Sequence, residues 1–145
     1  MFLSEVDGCA NYTILSEANR AQGYVLRGHW KCDWELLTGW YRFQGAAGDR
    51  MPDRCVLTER CSTRYPGWLS GAHPTIAEGV VTRNVCYSGR GNCCQMSSII
   101  KVKNCSGYYV YELQRTPSCN LRYCGNAGAC KSHLLERLTY RNDSI

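Results

Sequence analysis

Eleven cysteines, at positions 9, 32, 55, 61, 86, 93, 94, 105, 119, 124 and 130, are the side chains of this 145-residue chain with the most chemistry in them. Cysteine can cross-link, bind metal or act as a nucleophile, and spacing separates the three. So dense a set points to an oxidising, extracellular or secreted setting in which cysteines form disulfides. Cys93 and Cys94 are adjacent. Consecutive Cα atoms lie about 3.8 Å apart, less than the roughly 4.4–6.8 Å of a disulfide, so the two must bond different partners. Zinc frameworks use C-x-x-C knuckles or Cys/His pairs. This chain has no C-x-x-C, and its histidines, His29, His73 and His133, are dispersed. An odd count leaves one thiol over, and Cys130, in the glycine-rich "CGNAGAC", is the expected unpaired residue.

Candidate catalytic groups are few. There is no G-x-S-x-G and no second histidine near His73, which a serine hydrolase would need. His29 close to Cys32 is the one local thiol–base pairing, and it reads as structural because Cys32 has ample disulfide partners. Asp49, Asp53 and Glu59 lie among arginines and read as surface rather than as a carboxylate pair. His73, before Pro74 in "PGWLSGAHP", reads as a turn histidine bonded to backbone. The expectation is a protein that is not an enzyme and needs no cofactor.

The net charge is +5, but its basic residues run from Arg20 to Arg141 without a dense cluster, so neither nucleic acid nor an acidic surface is called for. No stretch nears the roughly 20 apolar residues that span a bilayer, so direct membrane insertion is not expected. "MFLSEVDGC" has neither the basic start nor the apolar run of a signal peptide, and the chain therefore reads as a fragment of a longer one. Asn11-Tyr12-Thr13, Asn104-Cys105-Ser106 and Asn142-Asp143-Ser144 are N-glycosylation acceptors that suit a secreted chain.

The elements that must position these residues are mostly strands. "GWYRFQG" (39–45) and "GVVTRNVCY" (79–87) are aromatic or β-branched runs beside turns. "SIIKVKNC" (98–105) alternates strictly, and "GYYVYELQ" (107–114) follows a Ser-Gly turn, predicting a hairpin. Parity puts Asn104 on the apolar face with Ile100 and Val102, which ranks it below Asn11 as a glycan site. Residues 45–53, 60–79 and 88–92 read as long connections, with "PGWLSGAHP" (66–74) too irregular for helix or strand. Only "KSHLLERLTYR" (131–141) has a helical pattern. The expected fold is all-β or β-rich: a small, disulfide-stapled antiparallel β-sandwich over residues 1–126, with 127–145 a tail or the truncated start of another module.

Taken together, "GWYRFQGAAGDRMPDRCV", "RCST", "PGWLSGAHP", "EGVVTRNVC", "NCCQMSS", "KVKNCSGYYVYEL" and "CNLRYC" resemble the ten-cysteine domain of the uromodulin, pancreatic secretory granule membrane glycoprotein and oncoprotein-induced transcript 3 family. The likeness runs from Cys9 to Cys124. It implies the pairings Cys9 with Cys105, Cys32 with Cys119, Cys55 with Cys93, Cys61 with Cys124, and Cys86 with Cys94. It also implies neighbouring modules and a role as a binding or glycan-display module, serving as decoy for lectins such as bacterial pilus adhesins. An architectural spacer between modules is the alternative. In the family the 66–74 loop carries a glycan acceptor, but here Ser70 and Ala72 stand at the asparagine and threonine positions. Display must then use another site, Asn11 first.

Overall fold

The structure, a computed structural model, describes residues 7–128. Cys130, Asn142, the helical pattern at 131–141 and nearly all of the expected tail lie outside the described residues. Seven strands form one sheet: β1 (Thr13–Leu15), β2 (Gly39–Phe43), β3 (Tyr65–Ser70), β4 (Val80–Gly89), β5 (Asn92–Asn104), β6 (Tyr109–Leu113) and β7 (Leu121–Tyr123). Their order across the sheet is β1-β2-β6-β5-β4-β3-β7. The β-rich class holds, and the hairpin expected around the Ser-Gly turn is the antiparallel β5–β6 pair, with Val102 opposite Tyr111.

The arrangement departs from an antiparallel sandwich. One sheet replaces two, and both edge pairs, β1–β2 and β3–β7, run parallel. Parallel neighbours need long connections, and residues 16–38 and 71–120 supply them. Alternation identifies strands but carries no information on which distant strand lies alongside.

The stretch at 66–74 is not the irregular loop its prolines and glycines suggest. Residues 65–70 are β3, paired antiparallel with β4 and parallel with β7. Proline and glycine break strand propensity, yet each has a place here. Pro66 precedes the first β3–β4 pair, Gly67 with Tyr87, so its missing N–H is not needed by that ladder. Gly67 lies so close to its neighbours that a Cβ would come within 2.9 Å of the Tyr87 ring and 3.0 Å of the Arg122 carbonyl oxygen.

The chain just beyond the two edge strands is joined, although the sheet itself is open. Just beyond β1 and β7, Ala21 bridges Gly125, Gln22 N–H donates to Gly125 O (2.8 Å) and Gly125 N–H to Arg20 O (2.9 Å). Inside lie Phe43, Met51, Leu69, Val85, Tyr87, Val102, Tyr111, Leu113, Leu121 and Tyr123, all fully buried. The buried phenols are each partnered: Tyr87 with the Ser98 hydroxyl (2.9 Å), and Tyr123 donating to Gln114 O (2.8 Å). Burial lifts both above the ordinary tyrosine pKa.

One charged pair is buried with them. The Arg20 guanidinium forks onto the Asp33 carboxylate with two 2.8 Å bonds, and also donates to Tyr123 O. Asp33 further accepts the Tyr123 N–H (2.8 Å). Its backbone bonds Leu121 O and Thr116 N–H. The carboxylate therefore holds the 31–38 segment against β7, a role its position in the sequence does not announce.

Candidate functional site

The cysteines set the geometry of everything exposed. Disulfides join Cys9 to Cys105, Cys55 to Cys93, Cys61 to Cys124 and Cys86 to Cys94, with Cα separations of 5.7, 5.4, 5.6 and 4.7 Å. These are four of the five pairings that the resemblance implies. The vicinal cysteines diverge because the hairpin bulges. Gly89 pairs with Asn92 and Tyr87 with Met96, so Cys93, Cys94 and Gln95 stand opposite Ser88 alone. Cys94 then turns back within the hairpin to Cys86 while Cys93 reaches out to Cys55.

The fifth implied pair is not joined. Cys32 and Cys119 are thiols with their sulfurs 2.8 Å apart, the first half-buried and the second exposed. The contact with Cys32 raises the Cys119 pKa, since it favours the protonated form. The two side chains face one another from the 31–38 segment and the turn before β7, which Asp33 links.

Asn11 sits on an exposed turn. Ala10 and Asn11 N–H groups both donate to Asp7 O at 3.0 Å, and the Asp7 carboxylate accepts the Cys9 N–H (3.0 Å) and the Lys103 ammonium (3.3 Å). Those two contacts, the first the larger, hold Asp7 below its usual pKa. The Cys9–Cys105 bridge fastens the turn to the end of β5. Tyr12, the middle residue of the acceptor, is anchored instead of displayed. Arg42 donates to its hydroxyl (2.9 Å) and stacks 3.9 Å over the Tyr108 ring, whose own hydroxyl donates to Cys9 O (2.8 Å). Asn11 and Thr13 are both exposed, and among the described residues nothing hydrogen-bonds the Asn11 side chain.

Asn104 differs in each respect. It is half-buried at the end of β5, its amide nitrogen donates to Pro74 O (3.1 Å) and its oxygen accepts the Ser106 N–H (2.9 Å). The amide serves to lock the 73–75 turn beside the β5–β6 hairpin.

His73 is more embedded than a turn histidine. Its Nε2 lies 2.7 Å from the Tyr111 hydroxyl, whose oxygen also accepts the Met51 N–H (2.9 Å). Tyr111 therefore donates its proton to a neutral imidazole. The ring also lies 4.5 Å from that of Tyr109, over which Arg50 stacks. Burial, with Arg50 adding to it, lowers the His73 pKa to about 4. The expected bond to backbone is replaced by this side-chain partner. Leu69 is fully buried, Trp68 donates to Cys93 O (2.8 Å), Ser70 ends β3 opposite Asn84, and Ala72 is exposed.

The other chemical candidates are not brought together. His29 is exposed, and Asp53 and Glu59 are solvent-facing. Asp49 pairs with Arg50 (3.2 Å) and accepts from the Asn126 amide (3.0 Å), with Arg50 chiefly lowering its pKa. Among the described residues no three His, Cys, Asp or Glu side chains converge as metal ligands. Asp33 and Tyr111 join the site without a mark in the sequence. Nothing local marked either: in "KCDWELL" Asp33 stands between Lys31 and Glu35 and reads as surface.

Residues 41–125 match the model of the uromodulin-like domain family. The chain is 48% identical over 122 residues to the pancreatic secretory granule membrane major glycoprotein GP2 of Canis lupus familiaris, covering 83% of this chain and 24% of that protein. It is 44% identical over 119 residues to the GP2 of Homo sapiens, covering 81% and 22%. Uromodulin of Mus musculus is 44% identical over 119 residues, covering 81% and 18%. The chain thus spans less than a quarter of the length of these curated relatives.

Proposed function

This chain belongs to the uromodulin-like domain family, and we propose that it works as a non-enzymatic extracellular module that displays an N-linked glycan at Asn11. The partner is a glycan-binding protein such as a bacterial pilus adhesin, and other modules of a longer chain carry the domain. The observation that supports this most is the Asn11 turn: an unengaged, exposed amide on a backbone pinned by the Cys9–Cys105 bridge and the Arg42–Tyr108 stack. Pinning the acceptor lowers the conformational entropy lost when a lectin binds its sugar. Cys32 and Cys119, facing one another, complete the scaffold as a fifth bridge in an oxidising compartment.

The test is secretion from a glycosylating cell line, peptide mass spectrometry after glycosidase digestion, and capture on an immobilised mannose-binding adhesin. Occupied Asn11, with capture lost in Asn11→Gln, is the expected result. An unoccupied Asn11 overturns the display reading. Occupancy without capture leaves an architectural spacer in its place.

A further inference from the structure

The β4–β5 hairpin carries an asparagine that its surroundings leave open. Asn92 is exposed beside the tip formed by Arg90 and Gly91, where a Cβ added to Gly91 would meet nothing within 4 Å. Its side-chain oxygen accepts the Cys94 N–H (2.9 Å). The amide nitrogen has no partner among the described residues and faces solvent. Asn92-Cys93-Cys94 has the form Asn-x-Cys, in which a thiol at the third position stands where an acceptor sequence ordinarily has a hydroxyl. Thiols are weak hydrogen-bond donors, so such a site is used less fully than Asn-x-Ser or Asn-x-Thr.

We propose that Asn92 is a further N-glycan acceptor of this domain, and that closure of the Cys86–Cys94 disulfide limits its use. The inference rests on the reading of the chain as a secretory-route glycoprotein. In the transfer, Asn92 Nδ2 attacks the anomeric carbon of an oligosaccharide borne on a lipid diphosphate. A C–N bond forms, the C–O bond to the diphosphate breaks with its electron pair leaving on the diphosphate, and an amide proton passes to a base of the transferase. The S–H of Cys94 must be present at that moment. Once Cys94 bonds Cys86, no S–H remains, and this bridge spans only 8 residues inside one hairpin. A loop that short closes early, so disulfide formation competes with sugar transfer.

The folded domain accommodates the product. Asn92 is exposed and pairs with Gly89 in the last rung of the β4–β5 ladder, next to the Arg90–Gly91 turn, so a sugar there sits at the hairpin end rather than over the middle of the sheet. Asn84-Val85-Cys86 has the same form, but Asn84 lies mid-strand with Ser70 and Ile99 on either side. A glycan there would cover the ladder, and the hairpin end is the site the geometry favours.

The experiment expresses the full chain in a glycosylating cell line and analyses secreted and cell-associated protein, so that variants that fail to fold are still read. Enzymatic deglycosylation in heavy-oxygen water marks each occupied asparagine for peptide mass spectrometry. The expected result is partial marking at Asn92 in the wild type, a severalfold rise in Cys94→Ser, a rise in Cys86→Ala, and none in Cys94→Ala. An unmarked Asn92 in the wild type beside a marked Asn11 overturns this inference and leaves the proposed function standing. A marked Asn92 beside an unmarked Asn11 does the reverse. Marking that persists in Cys94→Ala overturns the role given to the thiol.

Discussion

Mild acid should weaken this domain through a single side chain, His73. In the folded state its pKa is about 4, against an ordinary 6.5. The main cause is burial of the ring, which packs against Tyr109; Arg50 and Arg83 add to it, partly offset by Asp53 and Asp49. The unfolded chain takes up a proton as pH falls below about 6.5, whereas the folded domain resists until about 4, so stability is full above the upper value and lost on the way down. A gap of this size corresponds to about 3 kcal/mol once both states are protonated, and to about 2 kcal/mol between pH 7 and pH 5. These are upper figures, because the ring keeps part of its surface in water. Protonation also reverses a hydrogen bond. Tyr111 already accepts the Met51 N–H, and accepting a second proton from the imidazolium would leave its own without a partner.

The measurement is a urea midpoint at a series of pH values between 5 and 7.5, for the wild type and for His73→Gln, whose amide oxygen can accept the Tyr111 proton but does not titrate. Carboxylates common to both proteins cancel in the difference. That difference should move by about 1–2 kcal/mol in favour of the variant as pH falls from 7 to 5. A difference independent of pH would refute the argument.

Asp33→Ala removes the forked partner of the buried Arg20 and the acceptor of the Tyr123 N–H. The loss should be about 3–5 kcal/mol, read as a fall in thermal unfolding temperature. Protein purified from an oxidising compartment should give a disulfide-linked peptide pair containing Cys32 and Cys119 on a non-reducing digest; two alkylatable thiols at these positions would count against the fifth bridge.

How much could be read beforehand varied with the range of the interaction. β2, β4, β6 and the 98–104 part of β5 were visible because their alternation, β-branching and turns lie within a few residues; residues 88–92, expected as a connection, belong to β4 and β5 except for the Arg90–Gly91 turn. β3 was not, since Pro66 and Gly67 contradict local strand propensity and are acceptable only because Tyr87 and Arg122 from other strands occupy the space a side chain would need. The same holds for the candidate site. The acceptor at Asn11 is a three-residue pattern, but its exposure, and the engagement of Asn104 by Pro74, depend on chain 30 or more residues away.

What the sequence determined by itself was chemistry that is local or combinatorial: a dense cysteine set, a vicinal pair too close to suit a disulfide with each other, three Asn-x-Ser/Thr patterns and a strand-rich pattern. Its resemblance to a family supplied the pairings. Tertiary structure alone decided that the strands form one mixed sheet, that Asp33 and Arg20 meet inside it, and that burial lowers the pKa of His73. Those outcomes depend on desolvation and on contacts between residues far apart in the chain, as with the 103 positions separating Arg20 from Tyr123. Neither is encoded in any short window of sequence, because burial is a property of the assembled fold.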